Sequence, residues 1–134
     1  TYNQNLDYLK TCIDSALNQT YANIEVIVSD NHSTNGTAKL LNEIKNVRLK
    51  MIKPEQFLSM IKNFSFAASF ATGKYISFLS SDDFLMLDAI DKLVPLLEID
   101  DSAVFAFGNI YASTFYNDNI NDNRFLLRKD DNKL

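Results

Sequence analysis

The chain has 134 residues, 46% of them apolar, with ten Phe and six Tyr against three Gly and two Pro, which fills a core and argues against disorder. A net charge of −4 argues against broad affinity for nucleic acid or anionic lipid, and one cysteine and one histidine exclude disulfide frameworks and multi-cysteine or histidine-rich metal sites. The length fits one domain, and without a membrane-length apolar run or a cleavable leader the expectation is a cytoplasmic, globular domain with no transmembrane segment.

Leu6, Leu9, Ile13, Ala16 and Leu17 recur at helical spacing, with Asn3 or Asn5 placed to cap the helix. Residues 24–28 (IEVIV) are a β-branched run, read as a buried strand that ends in the small, polar loop 29–37. Thr37, Leu40, Leu41 and Ile44 mark a second helix, capped by Ser33 or Thr34. Residues 48–52 (RLKMI) alternate as a strand and stop at Pro54. Phe57, Ile61, Phe64, Ala68 and Ala71 form a third helical stripe, with Gly73 as its C-terminal cap. Residues 74–79 (KYISFL) predict the next strand, and Ser80, Ser81, Asp82 and Asp83 follow it directly. Leu87, Ile90, Val94 and Leu97 predict a fourth helix, perturbed near Pro95. Residues 103–107 (AVFAF) read as a strand, 110–116 as a further one, and from Asn117 the pattern dissolves into a polar tail.

Strands alternating with helices of about 10–15 residues predict parallel βαβ units in an α/β fold, a doubly wound, mostly parallel sheet flanked by helices. Such sheets bind ligands beyond the carboxyl ends of their strands. Asp30 and the pair Asp82 and Asp83 each come just after a predicted strand, so the topology brings them to one edge.

The aspartate pair reads in two ways. Asp favours turns and helix N-termini, but adjacent carboxylates also suit Mg²⁺ or Mn²⁺, whose shell substrate phosphates then complete. Asp30 reads either as the start of an Asx-turn or as an acceptor for a ligand N–H or ribose hydroxyl. His32 is a loop residue without an assignable partner carboxylate, and Cys12 is a small core residue on an apolar helix face. Ser80 and Ser81 lack a G-x-S-x-G setting, and the P-loop and G-x-G-x-x-G patterns are missing.

Residues 1–3 (TYN), 8–9 (YL), 12–21 (CIDSALNQTY) and 23–28 (NIEVIV), with the loop 29–37 (SDNHSTNGT), resemble the opening of family 2 glycosyltransferases. The likeness resumes at 71–76 (ATGKYI) and 78–83 (FLSSDD), and covers about residues 1–97 as five collinear motifs. The resemblance implies the GT-A fold, a Rossmann-like doubly wound sheet. It also implies metal-assisted, inverting transfer from a nucleotide-diphosphate sugar, UDP-linked, to a glycan or lipid-linked acceptor, in the cytoplasm or at the inner membrane face. It places Thr1 and Tyr2 against the donor base, Asp30 on the base, commonly uracil, Ser81 at the ribose, and Asp82 with Asp83 on Mn²⁺ or Mg²⁺. Three departures stand out. Ser80 replaces the first Asp of the D-x-D element, and the Arg-Asn often found before A-x-G-x-Y is replaced within residues 63–66 (NFSF). The family's acidic catalytic base has no matching segment, so Asp118, Asp122, Asp130 and Asp131 are candidates by type alone.

On this likeness residues 1–116 form the nucleotide-sugar-binding GT-A domain, in part, and residues 117–134 a polar tail leading toward an absent acceptor half. The family's first strand ends where this chain starts, so about 5–8 further apolar residues are expected before Thr1. Two other readings compete: a nucleotide-binding α/β module without turnover, and a phospho-receiver-like domain. The second wants a Lys after the last core strand, which residues 103–109 are not followed by nearby.

Overall fold

The chain divides into two compact units, residues 1–91 and a second beginning at Lys92, and the computed structural model describes residues 1–108. The elements in order are α1 (Leu6–Leu17), β1 (Val26–Ser29), α2 (Thr37–Glu43), β2 (Leu49–Ile52), α3 (Met60–Ala68) and α4 (Ala89–Ile99).

Asn5 caps α1, its side chain accepting from the N–H groups of Asp7 and Tyr8, which satisfies two of the four donors a helix start leaves unpaired. One face of α1 buries Leu9, Ile13 and Leu17 against Leu41 of α2, with Val26, Val28, Leu40, Ile44 and Leu49 half-buried around them. The i, i+4, i+8 spacing of the three α1 residues makes that single stripe.

β1 and β2 pair in parallel, Val26 opposite Leu49 through Ser29 opposite Ile52, with α2 as the crossover that parallel pairing requires. Among the described residues this two-stranded sheet is the whole sheet. The strands expected at 74–79 and 103–107 are not formed, and residues 24–28 are not paired with 74–79. The expected strand at 110–116, the polar tail 117–134 with Asp118, Asp122, Asp130 and Asp131, and the boundary at residue 116 lie outside the described residues.

β1 is half-buried at Val26, Ile27 and Val28 and buried at Ser29, and among the described residues β2 pairs with one of its edges. The N–H groups of Val26 and Asp30 face β2, donating to Arg48 O at 2.8 Å and Ile52 O at 3.0 Å. Intervening residues face the other edge, where the Thr1 ammonium donates to Ser29 O at 2.7 Å and Asn31 N–H donates to Thr1 O at 2.9 Å. That pair of bonds is one step of a parallel ladder, with Thr1 opposite Asp30.

Two caps and one helix start differ from expectation. Gly36, at φ +96°, precedes α2 in place of Ser33 or Thr34; that left-handed conformation suits glycine. Ser33 and Thr34 are engaged elsewhere: the Ser33 hydroxyl accepts from Asn3 N–H at 2.8 Å, and Thr34 N–H donates to Asn3 Oδ1 at 2.7 Å. α3 starts at Met60, so Phe57 precedes it, and it ends on Ser69. Gly73 is not its cap. With Thr72 it forms a turn whose N–H groups, joined by the Thr72 hydroxyl, donate to Glu25 Oε1 at 2.6–2.9 Å.

These bonds, the Thr72 N–H first, hold the Glu25 carboxyl below the usual glutamate range. A depressed acid contributes stability above its unfolded pKa and loses it as pH falls through the folded value. Glu25→Ala is therefore expected to melt below wild type at neutral pH, with the gap closing below about pH 4. Parallel melting curves at pH 7 and pH 3.5 check this.

In the second unit, Ala103 N–H donates to Asp100 O at 2.9 Å and the Ser102 hydroxyl to Asp100 Oδ1 at 2.6 Å. Val104, Phe105 and Phe107 that follow are exposed.

Candidate functional site

Asp30 sits where β1 ends. It is 6% exposed, and its Oδ1 accepts from Ser33 N–H at 3.1 Å, while its other oxygen has no hydrogen-bond partner among the described residues. The loop after it is stitched to the segment before α3. Asn31 takes both backbone groups of Leu58, donating from Nδ2 to the carbonyl at 2.8 Å and accepting the N–H on Oδ1 at 2.9 Å. His32, in the left-handed region at φ +66°, brings Nε2 to 3.0 Å from Pro54 O. The sequence reading of His32 as a loop residue holds. The Ser29 hydroxyl donates to Asn63 Oδ1 at 2.7 Å and ties α3 to the same strand end.

These ties fix Phe57. Its ring meets that of Tyr2 edge to face, centroids 5.0 Å apart and planes at 71°. Tyr2 is 54% exposed and Phe57 58%, so the pair forms an open aromatic corner beside the ladder step that joins Thr1 to Asp30. Thr1 Oγ1 is buried without a hydrogen-bond partner among the described residues. Sequence reasoning missed Phe57 by counting it into the helical stripe.

Asp82 and Asp83 are exposed, in a turn closed by Asp83 N–H on Ser80 O at 3.0 Å, with Ser81 half-buried beside them. The strand expected in front of them is not formed, and the Cys12 thiol of α1 donates to Ser80 O at 3.3 Å. Burial above all, then the negative charges of Asp83 and Asp82, push that thiol up to about 11. Desolvation lowers the Thr1 ammonium, while Asp30 and Cys12 act on it in the opposite sense. Cys12 thus ties α1 to the turn that carries the aspartate pair.

Among the described residues no group of three or more His, Cys, Asp or Glu could hold a metal ion. Two exposed carboxylates do fit an Mg²⁺ or Mn²⁺ that takes its remaining ligands from water and substrate phosphates, the usual arrangement for these ions. No helix of the described residues is long and apolar enough to cross a membrane.

A family model described as glycosyl transferase family 2 matches residues 1–133. The chain is 34% identical over 105 residues to a UDP-Glc:alpha-D-GlcNAc-diphosphoundecaprenol beta-1,3-glucosyltransferase of Escherichia coli, covering 78% of this chain and 41% of that protein. It is 40% identical over 88 residues to a chondroitin synthase and to a hyaluronan synthase of Pasteurella multocida, each match covering 63% of this chain and 9% of the relative. The chain therefore spans less than half the length of these relatives.

Proposed function

The chain belongs to glycosyl transferase family 2, and we propose that it carries the donor side of a transferase moving a sugar from a nucleotide-diphosphate donor, UDP-linked, to a glycan or lipid-linked acceptor. The observation that carries this is the end of β1, where an underused Asp30 carboxylate lies beside the Tyr2 and Phe57 corner. A planar base stacks on such a ring while its N–H reaches a carboxylate oxygen. Ser81 lies toward the ribose, and Asp82 with Asp83 would hold the divalent cation, Mn²⁺ or Mg²⁺; Ser80, in place of the family's first aspartate, leaves the ion to these two. Such an ion, when bound, neutralises charge on the departing diphosphate. The chain's own part is to hold base, ribose and diphosphate in register. The activity named for the Escherichia coli relative supports a UDP-linked donor and an undecaprenol-linked acceptor class; with a lipid-linked acceptor the work would be done at the inner face of the membrane.

Calorimetric titration with UDP, GDP and CDP, each with and without Mn²⁺, tests the reading. UDP is expected to bind tightest and to gain affinity with Mn²⁺; equal, metal-independent binding of all three would sink it. Asp30→Ala should weaken uridine and UDP alike, on the order of 5–150-fold, the effect of leaving one ligand N–H unpaired at about 1–3 kcal/mol. Phe57→Ala should do the same within a similar range, since base stacking is worth about 1–3 kcal/mol. If both variants bind uridine as wild type does, the base lies elsewhere.

A further inference from the structure

We propose that Cys12 and Ser15 of α1, with Gln19 just past its end, are positioning residues for the aspartate pair, a polar stripe that fixes residues 80–90 and thereby aims Asp82 and Asp83. The proposal rests on the reading of those aspartates as the cation ligands.

The three residues stand at i, i+3 and i+7, Cys12 and Ser15 on one side of the helix and Gln19 two residues past its end, tied back to Ser15 O. Each holds the backbone of the same segment. The Cys12 thiol donates to Ser80 O at 3.3 Å, just before the pair. The Ser15 hydroxyl accepts from Leu85 N–H at 3.0 Å, just after it, while donating to Cys12 O at 2.8 Å. Gln19 uses all of its amide: Nε2 donates to Ser15 O at 3.0 Å and Met86 O at 2.7 Å, and Oε1 accepts from Ile90 N–H at 3.0 Å. It is 6% exposed, so this polar group is buried and fully satisfied. Thr20 N–H adds a bond to Leu87 O at 3.0 Å.

Residues 76–88 form neither helix nor strand. No ladder or helical turn therefore sets the direction of the two carboxylates, which are exposed and make no side-chain hydrogen bond among the described residues. The turn that Asp83 N–H closes on Ser80 O shapes the pair locally, and the attachments to α1 on both sides seat that turn. Cation ligands must be held within about 0.5 Å of productive geometry, so loosening the stripe should damage ion-dependent binding selectively. The base corner, built from Tyr2, Phe57 and Asp30, hangs on the other contacts of β1.

The test is on the 134-residue chain with Ser15→Ala, Gln19→Met and the conservative Ser15→Thr. The readouts are uridine affinity, UDP affinity with and without Mn²⁺, and hydrogen exchange across residues 80–90. Ser15→Ala and Gln19→Met are expected to speed exchange there and to cut the Mn²⁺ enhancement of UDP affinity about tenfold, with uridine affinity within about twofold of wild type. Ser15→Thr should keep the enhancement. Folded variants with faster exchange but a wild-type enhancement would overturn the positioning role, as would equal loss of uridine and UDP affinity. If Gln19→Met does not fold, Ser15→Ala decides alone, since it removes a single hydroxyl, the acceptor for Leu85 N–H and a donor to Cys12 O. A wild-type chain whose UDP affinity ignores Mn²⁺ overturns the cation reading itself, and this proposal with it.

Discussion

Asp82→Asn is expected to abolish the Mn²⁺-dependent part of UDP binding while leaving the fold and the uridine affinity intact. Asp82 is exposed, and among the described residues nothing in the fold leans on its carboxylate. Surface changes of that kind cost within about 0.5 kcal/mol of stability. Its negative charge is what a hard cation would meet, and an amide oxygen beside one remaining carboxylate is a poor substitute. Disturbing an outer partner of a metal ligand already costs about 10–100-fold in metal affinity, so removing a ligand charge should cost on the order of 100-fold or more. Calorimetry with UDP at fixed Mn²⁺, beside a thermal melt of the same sample, separates binding from folding. A folded variant that keeps its Mn²⁺ enhancement takes Asp82 out of the site.

The helices and the first parallel pair were legible because their signals are local. Leu9, Ile13 and Leu17 repeat at helical spacing, Asn5 is a side-chain cap, and the β-branched run 26–28 forms the strand with its neighbour. What was not legible depends on partners. KYISFL has the composition of a strand, but a strand exists only against a neighbour's ladder, and among the described residues no partner lies beside it. Gly73 looked like a helix cap because glycine often is one; its N–H is used by Glu25, 48 residues away, a contact no local pattern announces. Of the candidate site, Asp30, Asp82 and Asp83 stood out by their places just after predicted strands and Tyr2 by motif resemblance, and the likeness to family 2 stands. The stripe Cys12, Ser15, Gln19 was in plain view at regular spacing, but the apolar residues of the same helix gave the stronger periodicity. Phe57 was hidden by a helix boundary misplaced by three residues.

Extending the chain ahead of Thr1 with six β-branched residues is expected to raise its stability markedly. β1 carries β2 on one edge, while on the other the ladder step at Thr1 occupies only Ser29 O and Asn31 N–H. The N–H groups of Ile27 and Ser29 and the carbonyl of Ile27 point along that same edge without a backbone partner among the described residues. A strand continuing backward from Thr1 runs parallel to β1 and meets them in turn. Each bond gained should contribute about 0.5–1.5 kcal/mol, and each side chain laid over the half-buried Val26 and Val28 adds apolar burial. For a chain of this size each kcal/mol moves the melting temperature by about 3–6 °C. Six Gly and Ser residues at the same place are the control, because they offer the same backbone without β propensity or apolar surface. A rise of more than about 5 °C for the β-branched extension alone, with slower hydrogen exchange at Ile27 and Ser29, is the expected result. Equal melting of both extensions would mean that the ladder step at Thr1 ends there, and that the edge of β1 is closed by something other than a preceding strand.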